Sequence, residues 1–272
     1  MRLEERWGWV SMPFRRETEP TGWVETAKQK EALARLHVMV DRGYLGVLTG
    51  EIGSGKTTLI RRFVHELNPL TYHPIYLSMS GLKPKDFYGE ILRHLGEEAP
   101  FSSVKAKRLF QERVEQRSSQ GEKQLVVIVD EAQDLSDMMI LELRFVMNHQ
   151  MDAKSLFPLI LVGQPELRKR IRLRKYEAIW QRIGLSYHIG GLTEEESIVY
   201  IRHQMKQVGA GMPVFSDSAV HLIHGASQGI PRIINQICTQ AIYDAALNGH
   251  EVIEDKHIHR VLIDQQLQRG AV

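Results

Sequence analysis

The 272 residues predict an α/β protein in which a parallel sheet is covered by helices on both faces and followed by a smaller all-helical part. Three observations carry that prediction. Short apolar runs recur between longer helical patterns, and two of them, "LVVIV" and "LILV", are continuous, as in strands buried on both faces. The first strand pattern runs directly into a glycine-rich loop, and that loop directly into a helix. After Gly190-Gly191 the strand pattern ends and only helical periodicity remains.

The elements follow in order. The first 25 residues are irregular and aromatic-rich, with Trp7, Trp9, Phe14 and Trp23. Strands are expected at 44–49, 74–79, 124–130, 157–163 and 185–189. Helices are expected between them at 57–67, 84–95, 104–117, 138–151 and 166–182. Thr193 and Glu196 have the spacing of a capping box and open a helix running to about Val208. Further helices follow from Ser216, over 231–248 with Pro231 in the first turn, and over 254–268. The expected domains are an N-terminal segment (1–25), an α/β core (26–190) and a helical lid (191–272).

Composition narrows the class. Hydrophobic residues make up 43% and charged residues 25%, with a formal charge of +2, so any basic surface must come from local clustering. Cys238 is the single cysteine and has no intrachain partner for a disulfide. No apolar run approaches the ~18 residues of a membrane span, and the N-terminus has no signal-peptide core. A cytoplasmic protein without direct membrane insertion is expected. The twelve histidines show no metal-site spacing with cysteine.

"LTGEIGSGKTT" holds Gly50-x4-Gly55-Lys56-Thr57 between a strand and a helix, the context a P-loop requires. Glycines at 50, 53 and 55 allow backbone conformations and close approaches that a Cβ obstructs. Successive N–H groups and the helix N-terminus then face a phosphate chain. Lys56 reaches the β- and γ-phosphates and Thr57 supplies a hydroxyl to Mg²⁺. The candidate ATP site is Gly50, Glu51, Ile52, Gly53, Ser54, Gly55, Lys56, Thr57 and Thr58. The competing reading is a glycine-rich turn with a chance lysine.

"LVVIVDEAQDL" supplies the second half. Asp130 at a strand end suits the magnesium shell, and Glu131 suits orienting and polarising the attacking water. Taken alone, a strand-terminal Asp-Glu also serves as a capping pair.

The P-loop, Asp130-Glu131, a polar residue ending the next strand and a helical lid together resemble the AAA+ ATPases. More narrowly, "GWVSMPFRRE", "LTGEIGSGKTT", "VIVDEAQDL", "LILVGQPELR", "AIWQRI" and "GIPRIINQIC" resemble the ExeA family, which is related to the TniB, TnsC and MuB transposition ATPases. The resemblance implies a five-stranded sheet in the order 5-1-4-3-2. It places Gln164 at the first sensor position, aimed at the γ-phosphate, although Gly-x-Pro is also a plain turn signal. It places Arg182 as an arginine finger supplied to a neighbour, with Arg172 and Arg174 as competitors. It places Arg232, at the start of a lid helix, as the second sensor. A cation there opposes the helix dipole, which favours a bound anion beside it.

Three basic clusters remain. By the same resemblance Lys83 and Lys85, then Lys105 and Lys107, are the candidate contacts to DNA phosphates. Arg168, Arg172 and Lys175 share one face of the expected 166–182 helix, opposite Leu167 and Ile171, and suit a subunit interface. The implied function is an ATP-dependent homo-oligomer, ring or helical filament, that binds double-stranded DNA without sequence preference and recruits a transposase to its target. Two alternatives stand: an ExeA-type secretion ATPase, and a nucleotide-switched scaffold with little turnover.

Overall fold

The computed structural model describes residues 3–15, 24, 26–146 and 155–268. In chain order the first elements are α1 (Leu3–Trp7), α2 (Ala27–Asp41), β1 (Leu45–Gly50), α3 (Lys56–Glu66), β2 (Tyr72–Leu77), α4 (Pro84–His94) and α5 (Ser103–Ser119). They continue with β3 (Gln124–Val129), α6 (Asp137–Val146), β4 (Leu159–Gly163), α7 (Pro165–Ile171), α8 (Glu177–Trp180) and β5 (Ile183–Ile189). Last come α9 (Glu194–Gln207), α10 (Asp217–Ser227), α11 (Pro231–Leu247) and α12 (Asp255–Gln268). The described residues form two compact units. One comprises Ala27–Ile52 with Lys56–Ile189, and the other Gly190–Val272 with Gly53–Gly55 and the N-terminal residues up to Thr26.

In the α/β unit all strand pairs are parallel and the order is β2-β3-β4-β1-β5, as expected. Side chains alternate across a strand. Val47, Val127 and Leu161 therefore join Phe87, Phe110, Ile140 and Leu167 on one face, while Leu48, Ile128 and Val162 join Leu36, Met39 and Phe63 on the other. The central strands β1, β3 and β4 are buried on both faces, which is why β3 and β4 read as unbroken apolar runs.

Several details differ from expectation. Helix α2 was not foreseen, yet Ala32, Leu33, Leu36, Met39 and Val40 form a buried helical stripe. It lies so close to β1 that a Cβ on Gly46 would fall 2.2 Å from the Met39 sulfur. The expected 166–182 helix is broken. It ends at Ile171, turns through a 3₁₀ segment at Arg174–Tyr176 and restarts as α8. Ile171 and Tyr176 both enter the same core, but five residues do not close a helical repeat, so extended backbone at Leu173 (φ −61°, ψ 141°) brings Tyr176 round. Arg168, Arg172 and Lys175 consequently do not share one helical face, and that expectation is corrected. Finally, β5 starts at Ile183. The end of the helix expected at 138–151 falls outside the described residues, where α6 is followed only to Val146.

The second unit packs α9–α12 around Ile201, Phe215, Ile234, Ile237, Ile242 and Ile258, with Cys238 fully buried among them. Trp9 and Phe14 of the N-terminal segment pack into this core. Trp7 stacks on Trp9 at 4.8 Å, and Phe14 meets Phe215 edge-on at 6.1 Å. Val10 N–H donates to the Val208 carbonyl at 3.0 Å. Aromatic side chains bury large apolar areas and so enlarge a core that four helices alone leave small. Trp23 lies outside the described residues. The capping box opens α9 as expected, with Glu196 N–H donating to the Thr193 hydroxyl at 3.2 Å and Thr193 N–H to the Glu196 carboxylate at 2.9 Å.

Gly229 has φ +71°, and a Cβ there would fall 2.0 Å from the Leu192 carbonyl oxygen. Its own carbonyl accepts the Leu192 N–H at 2.8 Å. Gly229→Ala is therefore expected to destabilise by about 1–3 kcal/mol from backbone strain alone. A thermal or urea midpoint equal to that of the unchanged protein would contradict this.

Candidate functional site

β1 is flanked by β4 and β5, and its carboxyl end at Gly50 turns through residues 50–55 directly into α3 at Lys56. Open parallel sheets bind ligands at such strand ends. Gly53 (φ +83°) and Gly55 (φ +93°) adopt left-handed conformations that side chains resist. Ser54 between them is buried, and its hydroxyl has no hydrogen-bond partner among the described residues. Lys56 is also buried, and its ammonium donates to the carbonyls of Gly50 at 2.9 Å and Glu51 at 3.0 Å. The loop thus arches over its own lysine, with a cation and an unspent hydroxyl at the helix N-terminus, where phosphate groups bind.

Asp130 follows β3 directly and is only 3% exposed. Its carboxylate accepts from the Thr57 hydroxyl at 3.4 Å, the Glu131 N–H at 2.8 Å and the Tyr76 phenol. Burial, and after it the Asp130 carboxylate, pushes the Tyr76 phenol well above its ordinary pKa, so it remains a donor. Thr57 and Asp130 are hard oxygen donors close enough to share one ion, a set that suits magnesium. Among the described residues no three His, Cys, Asp or Glu side chains gather as a metal cluster. An ion held here would complete its shell with phosphate oxygens and water.

Glu131 is exposed, with left-handed backbone (φ 50°, ψ 38°) that turns the chain out of β3. Its carboxylate accepts from the Gln133 side-chain amide Nε2 at 2.8 Å, and the Gln133 side-chain Oε1 accepts the Gln164 N–H at 3.0 Å. Gln164 follows β4 directly and caps α7 by position, but its side chain makes no capping bond. β4 lies between β1 and β3, so the structure brings Gln164 to the same sheet end as Lys56, Thr57, Asp130 and Glu131.

The other expected residues make contacts of their own. Arg182 donates to the Ala178 carbonyl at 2.9 Å. Arg172 stacks over Trp180 at 4.8 Å and Lys175 pairs with Asp137. Lys83, Lys85 and Lys105 are exposed, Lys85 lying 4.0 Å over the exposed Phe101 ring, whereas Lys107 pairs with Glu142 at 2.6 Å. In the second unit, which includes Gly53–Gly55, the Arg232 N–H donates to the Gly53 carbonyl at 3.2 Å, and a Cβ on Gly53 would fall 2.5 Å from the Arg232 Cβ. Sequence reasoning missed Tyr76 and Gln133. Tyr76 lies in β2, paired opposite Ile128 of β3, and no local motif marks it. Gln133 stands in plain view in "DEAQ", but its partner is 31 residues away.

Residues 40–171 match the AAA domain family. Cdc6p from Pyrobaculum aerophilum superposes with a TM-score of 0.63 at 15% identity, covering 88% of this chain and 67% of that one. The strand order and the P-loop after β1 match the AAA+ pattern. The fold is the AAA+ P-loop fold. The Aeropyrum pernix ORC1 protein in complex with DNA shares this AAA+ architecture at a TM-score of 0.62 and 16% identity, over 88% of this chain and 65% of that one. Over 246 residues, 89% of the chain, the sequence is 31% identical to General secretion pathway protein A of Aeromonas hydrophila. That match spans 44% of the relative's length, less than half.

Lys56→Ala removes the cation from the AAA+ loop and leaves the Gly50 and Glu51 carbonyls without it. ATP affinity is expected to fall at least about 100-fold while the circular dichroism spectrum is retained, since hydrogen bonds to a charged group are worth ~1.5–3 kcal/mol each. Titration with a fluorescent ATP analogue checks this, and unchanged affinity would remove Lys56 from the site.

Proposed function

We propose that this protein is a Mg²⁺-dependent ATPase that oligomerises, binds double-stranded DNA without sequence preference and recruits a transposase, acting as a target-selection regulator of transposition. The observation that carries the catalytic part is the buried Asp130 beside Thr57, with Glu131 one residue on and Lys56 inside the loop. The loop N–H groups and Lys56 bind the phosphates. Thr57 and Asp130 hold the magnesium ion, which neutralises charge on the transferring phosphoryl group. Glu131 orients the attacking water and receives its proton. Gln164 hydrogen-bonds the γ-phosphate or that water from the end of β4. Arg182, released from the Ala178 carbonyl, serves a neighbouring subunit's site, and Arg232 reports on the γ-phosphate from the start of α11.

The DNA part rests on the exposed Lys83, Lys85 and Lys105, on the fold shared with an ORC1 protein that was solved in complex with DNA, and on the resemblance to the ExeA family, to which the TniB, TnsC and MuB ATPases are related. Lys107 contributes once it leaves Glu142. One observation favours a second reading, a secretion ATPase of the ExeA type: the 31% identity to General secretion pathway protein A. Among the described residues no helix is long and apolar enough to cross a membrane. Such a role would take a partner or a further segment to the envelope.

Two measurements separate these readings. Anisotropy of labelled duplex DNA is expected to show binding only with ATP. Three phosphate contacts would weaken it about 40-fold between ~50 and ~200 mM salt. Electron microscopy of the same samples should show an assembly on DNA. Absence of both removes the transposition reading and leaves the secretion one. Glu131→Gln is expected to retain ATP binding and lose at least about 100-fold in turnover. Equal turnover would leave a nucleotide switch in place of a hydrolase.

A further inference from the structure

The side chain of Gln133 forms a bridge that none of the expected roles requires. Its Nε2 donates to Glu131 Oε2 at 2.8 Å and its Oε1 accepts from the Gln164 N–H at 3.0 Å. The orientation of this amide is set by its neighbours, because a backbone N–H only donates and a carboxylate oxygen accepts. Gly163 makes room for the bridge: a Cβ there would fall 2.7 Å from Gln133 Oε1. The turn itself is braced by Arg170, whose guanidinium donates to the carbonyls of Gln133 at 2.8 Å and Leu135 at 2.6 Å. Ala132 and Leu135 on either side are buried. Glu131, by contrast, is exposed and sits in left-handed backbone after the strand ends, so packing does not aim its side chain.

We infer that Gln133 is a positioning residue for Glu131, whose amide ties the Glu131 carboxylate to the end of β4 so that the water-orienting group and the Gln164 position move as one. The inference rests on the hydrolytic reading above. Pinning Oε2 leaves Oε1 to meet the attacking water in a defined direction. A misplacement of ~1 Å at such a group costs up to about 100-fold in rate. The bridge also gives Gln164 a route to the chemistry through its main chain, independent of where its side chain points.

The test compares ATP turnover and fluorescent-ATP affinity in the full chain for the wild type, Gln133→Leu and Gly163→Ala. Each variant is also made in the Glu131→Gln background. Leucine keeps similar bulk without the amide, and the Gly163 change displaces the amide without altering residue 133. Both single variants are expected to lower kcat about 10- to 100-fold. Both should leave ATP affinity within about twofold, and neither should slow Glu131→Gln further, because the residue acts through Glu131. Gln133→Asn keeps the amide but is one carbon too short for both partners, and should fall between. A purely structural role would lower affinity along with kcat and reduce the Glu131→Gln rate by the same factor, and that result overturns the inference. If wild-type turnover depends on Glu131 and Gln133→Leu and Gly163→Ala keep full kcat, only this inference fails. If wild-type turnover does not depend on Glu131, the hydrolytic reading fails and the inference with it.

Discussion

Asp130 places a carboxylate almost wholly out of water at the end of β3, and a carboxylate so placed must be met by hydrogen-bond donors. Three donors meet it, from three parts of the chain: the Thr57 hydroxyl of α3, the Tyr76 phenol of β2 and the N–H of Glu131. Satisfying this one group registers the helix that follows the P-loop against the strand that ends in Asp-Glu. The backbone adds to the registration, since the Asp130 N–H donates to the Leu77 carbonyl of β2 at 2.8 Å. The ligand geometry that suits a magnesium ion follows from the same demand, because a hydroxyl hydrogen-bonded to a carboxylate already presents two oxygens together.

That arrangement depends on a sheet whose central strands are buried on both faces. β1 and β4 carry buried residues at every position, so their ends are held by packing on both sides and the loops they feed have little freedom. Gly46 lets α2 approach β1 as far as Met39, and Gly163 admits the Gln133 amide beside β4. In the helical unit the limit is size. Trp9 and Phe14 join the core of α9–α12 and supply apolar area from outside the helices.

What the sequence determined by itself was local or periodic. The P-loop is a contiguous string whose glycines at 53 and 55 are required by their backbone angles, and Asp130-Glu131 is a dipeptide after an apolar run. β3 and β4 were legible because burial on both faces leaves no polar residue to interrupt their apolar runs, and the capping box of α9 was legible because both partners lie within one turn. Tertiary structure alone decided the rest, wherever the partner is distant in the chain. Tyr76 meets Asp130 across 54 residues and Gln133 meets Gln164 across 31. The 166–182 segment breaks because Ile171 and Tyr176 are drawn into one core that a continuous helix cannot reach with both. Lys107 reads as one more cation in a basic run until Glu142, on a different helix, is brought within 2.6 Å of it. Local spacing encodes backbone conformation, but which side chain neutralises, brackets or aims another is settled only when packing brings the strands and helices together.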